Sequence, residues 1–275
     1  MMNKRLDQLR RVWATDQKLR RTGLPSGRYL RWFYRYRLAS RFPKVFSTRR
    51  VAVQLSDREA QRRASALIRI NGGGGDLTVF TGLIGDREYW DAKLFPIKRL
   101  LDLGSNIGLA ALWFSLFSPD MELACVEADP RNLSLLTENL SRNNLRARIF
   151  PCAVGAVDGE AELGINEHMA VSSLISTGLH GHTKSVRVNV RTIESLLDEL
   201  GWESVDVVKM DIEGAELDIF RSCAPWIERV ERFVLEIHPN TSAEEIEALV
   251  RPFGRVVRRI GFGVEPTFII EKATN

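Results

Sequence analysis

Two rhythms of apolar and polar positions take turns along this 275-residue chain. Short, nearly continuous apolar runs at 99–103, 148–153, 205–210 and 233–237 read as strands buried on both faces, and another strand runs up to Glu127. Between them apolar positions fall three and four apart, as on one face of a helix. Such stretches begin after Gly108, cover 130–142 through Leu133, Leu136 and Leu140, cover 193–200, run from Gly214 to 222, and run from Thr241 or Ser242 through Leu249. Asp129 and Pro130 give the second of these helices an N-cap and a first-turn proline. The alternation predicts an α/β fold with a doubly wound sheet. Further strands are expected at 154–165 and 186–190, with a polar loop over 166–185. The closing runs 256–260 and 267–271 can pair as an antiparallel hairpin at the sheet edge. Upstream, 51–55, 67–70 and 77–80 predict short strands, the last two joined by Asn71, four glycines and Asp76, followed by a helix over 88–95. The expected organisation is an N-terminal segment over 1–50, a small antiparallel addition over 51–96, and a main domain over 97–275.

Candidate chemistry concentrates where strands end. The first core strand runs into Asp102-Leu103-Gly104-Ser105-Asn106-Ile107-Gly108, where glycines permit a tight turn before a helix. Glu127, about 20 residues on, stands at the next strand tip, where a carboxylate can accept from both hydroxyls of a ribose. A dinucleotide fingerprint starting at Gly104 would want glycine at positions 106 and 109, but Asn106 and Leu109 stand there. Asp102 adds negative charge that opposes a pyrophosphate and suits an amino group or a sulfonium. S-adenosylmethionine carries both cations, a ribose and no phosphate, so these residues favour it over a nicotinamide dinucleotide.

Two further clusters lie at later strand ends. In Lys209-Met210-Asp211-Ile212-Glu213-Gly214-Ala215-Glu216, Asp211 and Glu213 can bind a hard cation, orient an amine or take a proton from a hydroxyl. Glu216 is expected to favour the N-terminus of the following helix, with Lys209 paired to Glu213 or Glu216. In Glu236-Ile237-His238-Pro239, His238 can act as a general base or ligate a metal, with Glu236 beside it. Candidate metal ligands are therefore Asp211, Glu213, Glu236 and His238. His168, His180 and His182 fall in the polar loop and read as part of a substrate lid.

Composition changes this picture in one place. Residues 1–50 hold 15 Lys and Arg against Asp7 and Asp16, a surplus of 13, so the remaining 225 residues carry −9. The segment from Arg28 to Arg37 interleaves cations with aromatics. Such a helical arm can pack on the catalytic domain with its arginines in water, lie on an anionic membrane, or grip a nucleic acid. Cys125, Cys152 and Cys223 are widely spaced and read as core thiols of a reducing compartment. Neither a membrane-spanning apolar run nor a signal-peptide pattern is present in the sequence, and the expected location is cytoplasmic or peripheral on the inner face of a membrane.

LLDLGSNIG, VEADPRN with downstream LTENLSRNN, VKMDIEGAEL and LEIHP, in that order over roughly residues 86–240, resemble the FkbM family of S-adenosylmethionine-dependent methyltransferases. Ser105 and Ala128 stand where that family commonly has alanine and proline. The resemblance implies a class I, Rossmann-like methyltransferase fold and O-methylation, often of sugar hydroxyls in glycans, glycolipids or natural products. It further implies a donor pocket of Asp102, Gly104, Ser105, Asn106, Gly108, Glu127, Ala128, Ala153 and Val154. Asp211 with His238 is the candidate pair for deprotonating the acceptor, Glu213 and Glu236 assisting or binding a divalent ion. A saccharide or lipid-linked saccharide is the expected acceptor, with peripheral membrane contact through residues 1–46. The competing reading is a nucleic-acid-binding protein or nucleic-acid methyltransferase using the basic arm. Against a base-methylating enzyme, no Asn/Asp-Pro-Pro-Tyr/Phe motif follows the 205–210 strand.

Overall fold

The computed structural model describes residues 13–17, 31, 34, 49–57, 59–70, 75–165, 172–174, 184–261 and 266–273. Its centre is a seven-stranded sheet of β3 (Arg99–Leu103), β4 (Glu122–Val126), β5 (Ala147–Phe150), β10 (Val205–Met210), β11 (Val230–Glu236), β12 (Arg255–Arg259) and β13 (Thr267–Lys272). Their spatial order is β5-β4-β3-β10-β11-β13-β12. The first five strands of that order are parallel, whereas β13 runs antiparallel to both β11 and β12. The chain thus winds outward from β3 to β5, returns to β10 beside β3, and winds outward the other way. The topological switch point falls between β3 and β10, where open α/β sheets bind ligands at their carboxyl ends.

The continuous apolar runs follow from burial on both faces. Leu100 and Val207 join one core with helices α2 (Leu109–Phe117) and α3 (Pro130–Arg142), whereas their neighbours Leu101 and Val208 join a second core with α4 (Ile193–Leu200), α5 (Glu216–Arg221) and α6 (Ala243–Val250). Fully burying each such side chain contributes about 1.5–3 kcal/mol relative to leaving it in water. The helix starts follow local chemistry. Asp129 accepts from the Arg131 amide with Pro130 next to it, Thr192 caps α4, and Ser242 with Glu245 forms a reciprocal capping box on α6.

The segment before β3 departs from expectation. The hairpin is formed by β1 (Arg49–Ser56) and β2 (Arg63–Ile70), in register from Arg49↔Ile70 to Ser56↔Arg63, so β2 pairs backward and not across the glycines. Residues 77–80 are not a strand. They lie in helix α1 (Gly75–Thr81), whose buried Leu77 and Phe80, followed by buried Leu83 and Ile84, repeat at helical and not alternating spacing. The expected helix over 88–95 is a turn and a short 3-10 segment, Ala92–Leu94. Here Trp90 and Phe95 stack together and pack against Trp113 and Phe117 of α2, so tertiary aromatic contacts decide the backbone path. The addition is clipped to the main domain by buried Asn139, whose side chain accepts from the Leu67 amide and donates to the Leu67 and Ile107 carbonyls.

The expected 148–153 strand divides. β5 ends at Phe150, and β6 (Ala153–Val154) joins a separate sheet in the order β6-β9-β7-β8 with β9 (Lys184–Arg191), β7 (Gly159–Ile165) and β8 (Ser172–Leu174). This small sheet brings residues 153–154 and 172–174 to the same end of the molecule as the switch point. His168, His180 and His182 lie outside the described residues, as does most of the basic arm; of the arm's described residues, 13–17, 31 and 34 are helical, with Trp13 and Tyr34 exposed. Among the described residues no helix is long and apolar enough to cross a membrane. The three cysteines are free and buried.

Candidate active site

The switch point is a tight interlock of two backbones. Gly104 has φ +73°, its amide and that of Ser105 both donate to the Val126 carbonyl, and the Asp211 amide donates to the Leu103 carbonyl. A methyl group on Gly104 would strike the Asp211 carbonyl oxygen, so only glycine lets the two strand ends approach this closely. Gly108, at φ +83°, caps α2 and would meet Leu136 with any side chain. Ser105 turns its hydroxyl inward to donate to the Asp102 carbonyl. Ser105 and Gly108 therefore shape the loop from behind.

In front of the loop opens a cleft lined by Gly104, Asn106, Glu127, Ala128, Ala153 and Val154 on one side and by Asp211 and Glu213 on the other. Six of the nine expected donor-pocket residues thus share one cavity, while Asp102, Ser105 and Gly108 stand behind it. The cleft also takes Asn132, Cys152, Leu163 and residues 172–174, which sequence reasoning missed. Asn132 carried a signal in the Asp129-Pro130-Arg131-Asn132 string. Cys152 lay just beyond a strand, and Ser172 lay in a loop with no distinguishing motif.

Glu127 is held rigidly at one end. Its carboxylate accepts from the Asn106 and Asp129 amides, each at 2.7 Å, and from Asn132 Nδ2 at 3.3 Å. Burial pushes its carboxyl up to about 7, and the two amides and Asn132 pull the other way. Three of the roughly four lone-pair positions of a carboxylate are in use, so one position, and the position of the longest bond, can be offered to hydroxyl donors. Asn132 is itself fixed by Arg69 of β2, which also makes a bidentate pair with buried Asp76.

At the other end charges are dense. Lys209 and Asp102 are register partners on adjacent strands, and the Lys209 ammonium lies 3.3 Å from Asp102 and 3.5 Å from Asp211. Its partners are therefore these two and not the expected Glu213 or Glu216. Burial alone would lower the Lys209 pKa, but Asp102, Asp211 and Glu236 together raise it above the ordinary lysine value. Asp211 keeps 26% of its side chain exposed to the cleft. Burial raises its carboxyl, Lys209 opposes that rise, and Glu213 adds to it.

His238 is 1% exposed and stands among three carboxylates. Its Nδ1 is 2.8 Å from Oε1 of Glu216, itself fully buried and accepting from the Gly214 amide. Its Nε2 faces Glu213 at 3.2 Å and Asp211 at 3.7 Å. Burial alone would lower the imidazole pKa; the facing Glu213 and Glu216 carboxylates outweigh it and push it up to about 11. The ring is thus an imidazolium at neutral pH when only these groups surround it. Glu213 reaches its position through a left-handed backbone, φ +59°, followed by Gly214 at φ +102°. Glu236 does not join this group, which comprises Asp211, Glu213 and His238; its Oε2 accepts from the Tyr89 hydroxyl. His238 also lines a second cavity with Thr241, Ser242, Pro266 and Phe268, so the cluster stands between two openings.

The methyltransferase FkbM domain family matches residues 102–259, spanning the glycine loop, Glu127, the Asp211 loop and His238. Among curated proteins, the 2-O-methyltransferase NoeI of Sinorhizobium fredii is 28% identical over 138 residues, 45% of this chain and 56% of that protein. The hexuronic acid methyltransferase AglP of Haloferax volcanii is 24% identical over 153 residues, 55% of this chain and 60% of that protein. The matches thus span somewhat over half the length of these two relatives. The crystal structure of methyltransferase FkbM from Methylobacillus flagellatus aligns with a TM-score of 0.47 at 16% identity, covering 67% of this chain and 47% of that one. With more than half of its length matched by the family, and with the family's motifs gathered around one cleft at the switch point, the chain belongs to the FkbM methyltransferases.

Proposed function

We propose that this chain transfers a methyl group from S-adenosylmethionine to a hydroxyl oxygen, most naturally that of a sugar in a glycan, glycolipid or natural product. The observation that carries this reading is a single cleft with a fixed buried carboxylate, Glu127, at one end and the Asp211 and Glu213 carboxylates at the other. In this reading Glu127 accepts from the ribose hydroxyls, Gly104 and Asn106 let the donor approach the backbone, and Ala128, Ala153 and Val154 flank the adenine. The acidic end, which includes Asp102 behind Lys209, favours the amino group and sulfonium of the methionine portion. Ser105 and Gly108 hold the loop in shape.

Methyl transfer from a sulfonium is an in-line displacement. The acceptor oxygen forms a bond to the methyl carbon while the carbon–sulfur bond breaks and its electron pair goes to sulfur. The protein's main contribution is to align these three atoms. A sugar hydroxyl is a poor nucleophile at neutral pH, so its proton must leave as the bond forms. Asp211, exposed to the cleft and raised by burial, takes that proton in this reading, while His238 fixes the position of the surrounding carboxylates. Support for an oxygen acceptor comes from NoeI, whose name specifies a 2-O position, and support for a sugar comes from AglP, whose name specifies a hexuronic acid. The charge and aromatic pattern of residues 1–46 supports a lipid-linked saccharide at an anionic surface. The test is transfer of a labelled methyl group onto saccharide acceptors by wild type and by Asp211→Asn. At saturating donor, turnover should fall at least 100-fold in the variant, and an equally active, folded variant would remove Asp211 from the mechanism.

A further inference from the structure

We propose that Asp211, Glu213 and His238 form a site for one divalent cation of the Mn2+ or Mg2+ kind, placed to hold the acceptor oxygen. This inference goes beyond the proposed methyl transfer, and its position beside the acceptor rests on that reading.

The geometry begins with His238. Its Nε2 is buried and makes no hydrogen bond, although the ring is only 1% exposed. The atom points at two carboxylates from the loop after β10, 3.2 Å from Glu213 Oε2 and 3.7 Å from Asp211 Oδ1. One ligand atom from each of the three residues lies within 4.8 Å of the others. Adjacent ligands at roughly 2.1 Å from a common ion sit ~3 Å apart, so small side-chain adjustments suffice to close the set around a cation.

The second shell has the arrangement expected around a metal-ligating histidine. Nδ1 lies 2.8 Å from buried Glu216, which fixes the ring orientation and leaves Nε2 as the ligating nitrogen. Glu216 is steadied by the Gly214 amide, and Asn240 ties the His238 loop to the Gly214 carbonyl at 2.7 Å. The two loops that supply the ligands are thereby locked together. Two carboxylates and one imidazole, with no thiolate, suit Mn2+ or an oxygen-seeking relative. Asp211 and Glu213 line the cleft, so the remaining coordination positions open toward it, where a hydroxyl oxygen can bind and become more acidic. Asp211 coordinating through one oxygen keeps the other for the departing proton.

The test is titration of Mn2+ into the full chain, followed by the loss of the free-ion electron paramagnetic resonance signal, without donor or acceptor and with Mg2+ as competitor. One Mn2+ per chain is expected, displaced by excess Mg2+. Asp211→Asn and Glu213→Gln should each weaken binding at least tenfold, and Glu216→Gln, which touches no ion, by about 10–100-fold. Glu213 is partly exposed, with 21% of its side chain accessible, so its variant keeps the experiment decisive if the buried positions fail to fold. Absence of bound Mn2+ at millimolar concentration in protein that binds S-adenosylhomocysteine would overturn the cation site alone. Binding unchanged in Glu213→Gln would overturn it as well. Loss of donor binding with Mn2+ retained would count against the methyl-transfer reading and leave the cation site standing.

Discussion

Gly104 and Gly201 offer a matched pair for testing how tightly the switch point is built. Both have left-handed backbones, φ +73° and φ +66°, so alanine at either position carries the same conformational cost, about 1 kcal/mol. Their surroundings differ completely. An added methyl at Gly201 meets nothing within 4 Å, whereas at Gly104 it strikes the Asp211 carbonyl. That carbonyl cannot retreat freely, because the Asp211 amide is bonded to Leu103 and its side chain to the Lys209 network. Overpacking against such a neighbour costs a further ~1–3 kcal/mol, so Gly104→Ala should lose about 2–4 kcal/mol against about 1 for Gly201→Ala. Urea unfolding with unchanged slopes measures the difference, and calorimetric titration of S-adenosylhomocysteine measures its consequence for the cleft. Donor-product affinity should drop at least tenfold in Gly104→Ala and stay unchanged in Gly201→Ala. Equal stability losses at both positions, or wild-type affinity in Gly104→Ala, would refute the argument that this contact shapes the site.

Glu127 should leave a mark on the pH dependence of stability. Its folded carboxyl sits near 7 against an ordinary value of 4.5, so the folded state binds its proton more tightly. That contribution is complete below about pH 4.5 and lost as pH rises through about 7, a change of roughly 3 kcal/mol. Glu127→Gln lacks the titration, so its stability relative to wild type should rise between pH 5 and pH 8; urea midpoints at the two pH values that move in parallel would contradict this. Deleting residues 1–46 should reduce association with anionic liposomes in a sedimentation assay while donor binding persists, and unchanged association would remove the membrane role of the arm.

The core was legible because parallel strands covered on both faces must be apolar throughout, as at Leu100, Leu101 and Leu103. The glycine loop, Glu127 and the Asp211 loop were legible because each sits at a strand end, where chemistry has to appear. Residues 77–80 were not, since four mostly apolar residues fit either period and only burial of Leu83 and Ile84 beyond them settles it. The partners of Lys209 and His238 were hidden for another reason. Lys209 meets Asp102 through a strand register across more than 100 residues, and His238 meets Glu216 through the docking of two loops. Ser172 enters the cleft on a three-residue strand of the smaller sheet, which no local pattern announces.

The most direct test of the account is calorimetric titration of S-adenosylhomocysteine into wild-type protein and Glu127→Ala, with NAD as the control ligand. Wild type should bind, Glu127→Ala should bind about 10–100-fold more weakly through loss of charged hydrogen bonds to the ribose, and NAD should give no heat. Failure of the folded wild type to bind, or equal binding by Glu127→Ala, would contradict the assignment of this cleft to the methyl donor.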